Sequence, residues 1–112
     1  MIDVSIVTTL YQSESYIKEF YKRTIIATEN IFESLEIIFV NDGSNDASEK
    51  IARSICDMDS RVTLIDLSRN FGQFKAIMTG IKHAKGKYLW LIDVDLEDQP
   101  EWISLFHDKI ID

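Results

Sequence analysis

The chain has 112 residues, of which 46% are hydrophobic and 11% aromatic, which predicts one domain or part of one, globular rather than disordered and with a small core. Its formal net charge is −7, from 12 basic and 19 acidic residues, which argues against a nucleic-acid-binding protein because affinity for a phosphate backbone comes from clustered Lys and Arg. With one cysteine, Cys56, no internal disulfide can form, and a reduced cytosolic setting is expected.

The sequence also lacks the patterns of membrane insertion and export. No apolar run approaches the roughly 18 residues that indicate a membrane-spanning helix. The N-terminus has no basic region followed by the apolar core of a signal peptide. We therefore expect these residues to be neither membrane-spanning nor exported.

Short apolar runs alternate with segments of helical period, which predicts an α/β fold. The first strand is predicted over residues 4–9. The helix after it carries apolar or small side chains at the spacing of a single face, and that face should cover a sheet. It consists of Ile17, Phe20, Tyr21, Thr24, Ile25 and Thr28.

The second strand is predicted over residues 36–40 and leads into NDGSND, whose residue types are turn formers. Asp46 and Glu49, three residues apart, resemble a capping box, so we predict a helix from this point to about Met58. The third strand is predicted at Val62–Asp66.

A third helix is indicated by the stripe of Phe74, Ile77, Met78 and Ile81. The fourth strand, residues 88–92, is nearly all apolar, as expected of a strand covered on both faces within a parallel sheet. Pro100 suits the first turn of a last helix. The inward side chains of that helix would be Trp102, Ile103, Phe106 and Ile110.

The fourth strand ends in acids at alternate positions, Asp93, Asp95 and Glu97. On an extended chain Asp93 and Asp95 share a face, roughly 6–7 Å apart, while Val94 turns toward packing. Two carboxylates about 5 Å apart repel by ~3 kcal/mol at an effective dielectric near 20, so a pair aimed at one point needs a cation, a proton or full solvation. Oxygen ligands favour Mg²⁺ or Mn²⁺. The alternative is a strand end followed by a solvated acidic loop.

Ligands of open parallel sheets bind beyond the carboxyl ends of the strands. Residues 8–11, 41–43 and 93–95 follow three different predicted strands, so we expect them to converge on one edge. Asp42 and Asp93 are far apart in sequence, yet each terminates an apolar strand. That repeated placement favours a binding site over two unrelated loops.

The motifs described above lie in three stretches, which read SIVTTLYQSESYI, EIIFVNDGSNDAS and LIDLSRNFGQFKAIMTGIKHAKGKYLWLIDVDLEDQPEWI. Together they resemble the amino-terminal half of a family 2 glycosyltransferase of the GT-A fold, closest to the polyprenyl-phosphate sugar transferase branch. The resemblance covers essentially all of residues 1–112. It implies a Rossmann-like nucleotide-binding half with a mainly parallel sheet flanked by helices, the N-terminal sugar-nucleotide-binding portion of a longer domain.

The same resemblance implies transfer of a sugar from a UDP- or GDP-linked donor to a polyprenyl phosphate or glycan acceptor. The reaction would invert the anomeric carbon, with Mg²⁺ or Mn²⁺ on the diphosphate. A lipid phosphate is already ionised at neutral pH and needs no strong base, whereas a sugar hydroxyl needs one, and no residue here is assigned to that role. The complete protein is expected in the cytoplasm, at the inner face of the membrane.

Position by position, Thr9 and Tyr11 match loop residues that contact the base in this family, and Glu14 matches an acid of the same loop. Asp42 matches the acid that accepts a hydrogen bond from the base imide, and its alternative role is that of a turn former. Arg69 is a candidate for pairing with a phosphate or with a nearby acid.

Asp93 matches the first acid of the family's metal motif, near the ribose and the metal, and Asp95 matches the acid that binds the metal directly. Glu97 stands where the lipid-phosphate branch commonly has glutamine, and Gln99 where it commonly has proline. Glutamate keeps an oxygen ligand and adds a negative charge, so Glu97 is a third candidate metal ligand. These departures weaken the resemblance to the lipid-phosphate branch more than the resemblance to the family.

Other α/β classes that use acids and magnesium fit poorly. A phosphoryl-transfer receiver should have acids after the first strand, where this chain has Thr-Thr-Leu-Tyr, and a phosphatase of the D-x-D-x-T/V type should not have glutamate at residue 97. The stronger alternative is a non-catalytic nucleotide-binding fragment or interaction module.

Overall fold

The computed structural model describes residues 1–97, 99–103 and 105. Over this part of the chain the elements are β1 (Val4–Leu10), α1 (Ile17–Glu29), β2 (Leu35–Asn41), α2 (Ser48–Met58), β3 (Val62–Asp66), α3 (Gln73–His83) and β4 (Tyr88–Leu91), followed by a 3₁₀ helix at Pro100–Trp102. The strands form a sheet in the order β3-β2-β1-β4, and each neighbouring pair is parallel. The predicted α/β fold with a parallel sheet flanked by helices is confirmed.

The sheet buries side chains on both faces because successive residues of a strand point in opposite directions. Val4, Ile6 and Leu10 of β1 belong to the larger hydrophobic cluster, which includes residues of α1 and α2. Val7 points to the other face and packs with Ala76 of α3. The helices therefore cover the faces of the central strands, and polar residues collect at the strand ends.

The predicted elements agree closely with the observed ones. β1 and β2 are slightly longer than predicted, β3 has the predicted bounds, and β4 ends one residue earlier. The predicted sheet-facing side of α1 is confirmed. Its residues Ile17, Phe20, Thr24 and Thr28 are buried, and Tyr21 and Ile25 pack half-buried against the same cluster. Within the described residues no helix is both long enough and apolar enough to cross a membrane.

α3 presents a different face to the sheet from the one that its apolar spacing predicts. Phe74 and Met78 are 76% and 47% exposed, whereas Ala76 and Gly80 are buried. A Cβ added to Gly80 would lie 2.5 Å from Cγ1 of Val7. The helix therefore approaches the sheet so closely that small residues occupy the contact, and the larger side chains lie beside it.

β4 lies at the edge of the sheet, and within the described residues it is covered on one face only. Leu89 and Leu91 are 43% and 44% exposed, while Trp90 packs against the larger cluster. The prediction that both faces of this strand are covered is therefore wrong for the described part of the chain. An all-apolar strand does not by itself reveal whether it is central or at an edge.

Pro100 begins a short helical segment, as predicted, and is itself buried. Ile103 is buried as expected, but Trp102 is 41% exposed, so its predicted inward orientation is wrong. The 3₁₀ geometry of this turn differs from α-helical spacing, which shifts the side chains around the axis. Phe106 and Ile110 lie outside the described residues.

A network of charged side chains joins α1, α2 and β3 beside the amino end of β3. The carboxylate of Asp59 accepts Nε–H and Nη2–H bonds from Arg61, both at 2.9 Å, and the hydroxyl of Tyr21 at 2.6 Å. Arg61 also donates to Glu29 at 3.0 Å. The hydrogen bonds from Arg61, with that from Tyr21, outweigh burial and hold the pKa of Asp59 well below its usual range.

Replacing Asp59 by asparagine should lower the free energy of unfolding at neutral pH by about 1–3 kcal/mol, because charge-assisted bonds to Arg61 and Tyr21 are weakened. The folded-state pKa lies below the unfolded value of about 3.9, so this stabilisation is complete above about pH 4 and is lost as pH falls through the folded-state pKa. Urea unfolding of wild type and variant should therefore show a smaller difference at about pH 3 than at about pH 7. The exposed Asp57, replaced by asparagine, is the control, and a pH-independent difference would contradict the prediction.

Candidate functional site

A cleft of about 490 Å³ lies at the carboxyl edge of the sheet. Its lining comes from segments at the ends of all four strands. Of the residues predicted from the sequence, the cleft brings together Thr9, Tyr11, Asp42, Asp93 and Asp95. The convergence of the three predicted loops on one edge is thus confirmed, while Glu14, Arg69 and Glu97 do not line the cleft.

Asp42 is the most buried acid of the cleft, with 3% exposure. Its N–H donates to the carbonyl of Leu10 at 2.8 Å, which fixes it beside the end of β1. Its Oδ1 accepts the N–H of Phe71 at 2.8 Å, and its Oδ2 receives a longer bond, 3.4 Å, from the Asn70 amide. Asp42 therefore anchors the loop after β3 and at the same time lines the cleft.

Gly43 lets the loops after β2 and β3 pack directly on each other. It has a positive φ of 67°, which glycine adopts without strain. A Cβ at this position would lie 2.2 Å from the backbone N of Asn70 and 2.3 Å from the carbonyl carbon of Arg69. The Asn-Asp-Gly segment therefore forms a turn and also places Asp42 at the cleft.

The acidic residues after β4 keep the alternating orientation predicted for them, although the strand has already ended. Ile92 and Val94 are each 6% exposed and belong to the larger cluster, while Asp93 and Asp95 are exposed and line the cleft. Oδ1 of Asp95 accepts the N–H of Glu97 at 3.1 Å, which orients its carboxylate within the loop. Core packing on one side thus directs both carboxylates to the other.

The bend between these acids and the following helix depends on Leu96. It has a φ of +67°, a conformation that is uncommon for a residue with a Cβ, and its side chain packs against the larger cluster. Beyond it, Glu101 accepts two bonds from Arg23 of α1, at 3.0 and 2.6 Å. The acidic loop is therefore anchored at both ends.

The residues present fit a hard divalent cation through two carboxylates. Asp93 and Asp95 both line the cleft, and Mg²⁺ or Mn²⁺ commonly binds one or two carboxylates together with substrate phosphates and water. Glu97 is exposed and lies outside the lining. Within residues 1–97, 99–103 and 105 no three His, Cys, Asp or Glu side chains are grouped closely enough to hold a metal. The assignment of Glu97 as a ligand stays a prediction.

Arg69 stacks on an aromatic ring. Its guanidinium carbon lies 4.5 Å from the centroid of the Phe71 ring, and the ammonium of Lys75 lies 5.8 Å from the same centroid. In the described part of the chain Arg69 has no ion pair with an acid. The structure therefore gives Arg69 a cation–π contact in place of the predicted acid partner, and its pairing with a phosphate stays a prediction.

The capping box predicted for α2 is only half correct. The Asp46 carboxylate accepts the N–H of Ser48 at 2.9 Å, but α2 begins at Ser48, so Asp46 lies too early to cap the third helical residue. Glu49 pairs instead with Arg53 on the next turn of the helix. Asp46 is turned toward the loop after β1, where it accepts the N–H of Glu14 at 3.3 Å.

Several lining residues were not identified from the sequence. They are Gln12, Ser13, Tyr16, Asn70, Gly72 and Gln73. A signal did exist for Asn70 and Gly72, because the sequence RNFG places turn-forming Asn and Gly after β3, as NDG does after β2. That this turn contributes to the cleft is shown by the hydrogen bonds from Asn70 and Phe71 to Asp42.

Comparison with known proteins defines the family. Residues 5–112 match Glycosyl transferase family 2, and the chain belongs to this family. It is 41% identical over 101 residues to the undecaprenyl-phosphate 4-deoxy-4-formamido-L-arabinose transferase of Edwardsiella ictaluri (strain 93-146), a match that covers 89% of this chain and 31% of that protein. The chain spans about a third of the length of the curated relatives it matches, with 32%, 33% and 31% covered in three of them.

Solved structures agree on the fold. The structure of S. aureus TarS in complex with UDP aligns with a TM-score of 0.73 at 23% identity and covers 95% of this chain and 33% of that one. The mannosyltransferase PcManGT from Pyrobaculum calidifontis, in complex with GDP-Man and Mn²⁺, also aligns with a TM-score of 0.73, at 22% identity, covering 82% of this chain and 27% of that one. The architecture is therefore that of the GT-A glycosyltransferases.

Proposed function

We propose that this chain is the N-terminal sugar-nucleotide-binding portion of an inverting glycosyltransferase. The complete enzyme would transfer a sugar from a UDP- or GDP-linked donor to a polyprenyl phosphate or glycan acceptor. The observation that carries the proposal is that Asp42, Asp93, Asp95 and Tyr11, from three separate loops, line one cleft. The name of the E. ictaluri relative supports a lipid-phosphate acceptor, and the ligands of the TarS and PcManGT structures support a nucleotide-linked donor.

The base end of the cleft would be formed by Tyr11 and Asp42. Tyr11 is 49% exposed, so its ring is available to lie against a planar base. Oδ1 of Asp42 is already bonded to the Phe71 N–H at 2.8 Å, whereas Oδ2 has the longer 3.4 Å contact with the Asn70 amide. Oδ2 would accept a hydrogen bond from the imide N–H of uracil or guanine. Thr9, in β1, would also contact the base.

At the diphosphate end, Asp93 and Asp95 would hold Mg²⁺ or Mn²⁺, with Glu97 as a further candidate. The cation would neutralise charge that develops on the departing diphosphate. An oxygen of the acceptor then forms a bond to the anomeric carbon from the face opposite the leaving group, as the bond from that carbon to the diphosphate oxygen breaks. If the acceptor is a polyprenyl phosphate, the attacking oxygen is already ionised, and the reaction would run in the cytoplasm at the membrane face.

A second candidate is a nucleotide-binding module that does not turn over its ligand. One observation favours it: Asp93 and Asp95 are exposed, so the described residues do not form the water-excluding site in which preorganised charge is most effective. The two candidates share the nucleotide-binding step and differ only in chemistry. Binding without release of free sugar or transfer to an acceptor would favour the module.

Calorimetric titration of the 112-residue chain with UDP, GDP and their sugar conjugates, with and without Mn²⁺, tests the proposal. We expect one base to be preferred and the diphosphates to bind at least about tenfold more tightly with Mn²⁺, because Asp93 and Asp95 would hold the cation and the cation would attract the charged diphosphate. The corresponding monophosphates are the control, since they carry the base without the diphosphate. Failure of every nucleotide to bind would remove the proposal.

A further inference from the structure

The loop after β1 is held by side chains of the segment 44–48, which precedes and begins α2. The N–H of Gln12 donates to Oγ of Ser44 at 2.8 Å, that of Ser13 to Oγ of Ser48 at 2.9 Å, and that of Glu14 to Oδ2 of Asp46 at 3.3 Å. Three successive backbone donors of one loop therefore have side-chain acceptors from another. Neither sequence spacing nor helix capping requires such an arrangement.

Asp46 is the centre of this network. Its Oδ1 accepts the hydroxyl of Ser44 at 2.6 Å and the N–H of Ser48 at 2.9 Å, so it orients both serines that bind the other loop. Burial alone would raise the pKa of Asp46, but the bonds from Ser44, Ser48 and Glu14 outweigh it and lower the pKa to about 2. At neutral pH the residue is therefore an anion bonded on both oxygens.

The loop that this network holds is strained and lies at the cleft. Gln12 has a φ of +52°, and in the described part of the chain the one other non-glycine residue with positive φ is Leu96. Such a conformation persists only where neighbouring groups enforce it. Tyr11 and Gln12 both line the cleft, and the N–H of Tyr11 donates to Oγ of Ser13 at 3.0 Å. The contacts thus pass from Asp46 through Ser44, Ser48 and Ser13 to residues that line the cleft.

We infer that Asp46, acting through Ser44 and Ser48, is a positioning residue for the nucleobase end of the cleft. It fixes Tyr11 and Gln12 in the orientation that receives a planar base, and it has no role at the diphosphate. This inference rests on the proposed function, because it takes the cleft to bind a nucleotide. It predicts that changes at Asp46 alter affinity for the base to the same extent with or without a divalent cation.

The test compares Asp46→Asn and Ser44→Ala with the control Asp57→Asn, which removes an exposed acid from the outer part of α2. UMP and GMP are titrated without metal, and UDP and GDP with and without Mn²⁺. For the preferred base, Asp46→Asn should weaken monophosphate and diphosphate binding by a similar factor, about tenfold. The substitution removes the charge that strengthens the bonds from Ser44 and Ser48, and it replaces the oxygen that accepts the N–H of Glu14 by an amide donor. Ser44→Ala removes the hydroxyl that accepts the N–H of Gln12 and donates to Asp46, but it leaves the bonds of Asp46 to Ser48 and Glu14. It should therefore have the same effect to a smaller extent, and Asp57→Asn should have none.

Amide hydrogen exchange provides a readout that does not depend on the ligand. The N–H groups of Gln12, Ser13 and Glu14 should exchange faster in Asp46→Asn than in wild type or Asp57→Asn, while those of β1 stay protected. A variant that is merely less stable would show faster exchange throughout and an unchanged Kd at a temperature where it is folded. Such a result, or a loss of affinity confined to Mn²⁺-containing titrations, would overturn the inference.

The two proposals fail in different ways. If the wild-type chain binds no nucleotide, the proposed function is overturned, and this inference with it. If the wild-type chain binds a nucleotide and the Asp46→Asn variant binds it with equal affinity, only the positioning role of Asp46 is overturned.

Discussion

Replacement of Gly43 by alanine should destabilise the protein by about 3 kcal/mol, combining backbone strain with a steric clash. The added Cβ would lie 2.2 to 2.8 Å from backbone atoms of Arg69 and Asn70, which cannot rotate away as a flexible side chain would. The loop after β3 would have to move, and the bonds from Asn70 and Phe71 to Asp42 would be lost with it. Both the free energy of unfolding and nucleotide affinity should fall.

Gly72, in the loop after β3, provides a matched control. It also has a positive φ, 101°, but among the described residues other than its two neighbours in the chain, a Cβ added there would meet no atom within 4 Å. Gly72→Ala should therefore cost only backbone strain, about 1–2 kcal/mol. Urea unfolding measures both variants. If Gly43→Ala were no more destabilising than Gly72→Ala, the close packing of the two loops would not be a constraint on the fold.

Replacement of Asp95 by asparagine should remove most of the Mn²⁺-dependent gain in nucleoside diphosphate affinity, a loss of at least about tenfold, because ligand charge sets the affinity of an oxygen site for a hard cation. The substitution is well matched in shape. The retained Oδ1 can still accept the N–H of Glu97, which is bonded at 3.1 Å in the wild type, so the loop should keep its conformation. Calorimetry with UDP and GDP, with and without Mn²⁺, gives the result directly.

Two further variants determine which acids belong to the metal site. Asp93→Asn should reduce the metal-dependent affinity as Asp95→Asn does, because both residues line the cleft. Glu97→Gln should have a smaller effect, since Glu97 is exposed and outside the lining. Unchanged metal dependence in Asp95→Asn would rule out Asp95 as a ligand, and an equal loss in Glu97→Gln would establish Glu97 as a third one. None of these changes should affect UMP or GMP binding measured without metal.

The metal-site and Asp46 variants together separate the two ends of the cleft. The loss of affinity in Asp95→Asn should appear only with Mn²⁺ and should not affect monophosphate binding. The loss of affinity in Asp46→Asn should be equal with and without Mn²⁺. The cleft would act as one continuous nucleotide site only if both patterns are observed in the same protein. Identical responses at the two positions would mean that either change disturbs the whole fold.

Much of the site was predictable because it depends on local rules. Asp42 and Asp93 each follow an apolar strand, and parallel strands place their carboxyl ends on a common edge, so their convergence follows from topology alone. Asp93 and Asp95 reach the cleft because Ile92 and Val94, which alternate with them along the chain, are apolar and pack in the core. Alternation of this kind is visible in the sequence even where the strand has ended.

The sequence by itself determined the order of strands and helices, the buried face of α1 and the acids at the strand ends, because each follows from hydrophobic periodicity over a few neighbouring residues. Only the tertiary structure decided which face of α3 meets the sheet, since Ala76 and Gly80 fit a close approach that Phe74 and Met78 would prevent. It likewise decided that β4 is an edge strand and that Asp46 binds the loop after β1. These features depend on contacts between residues distant in sequence, whose geometry periodicity does not encode.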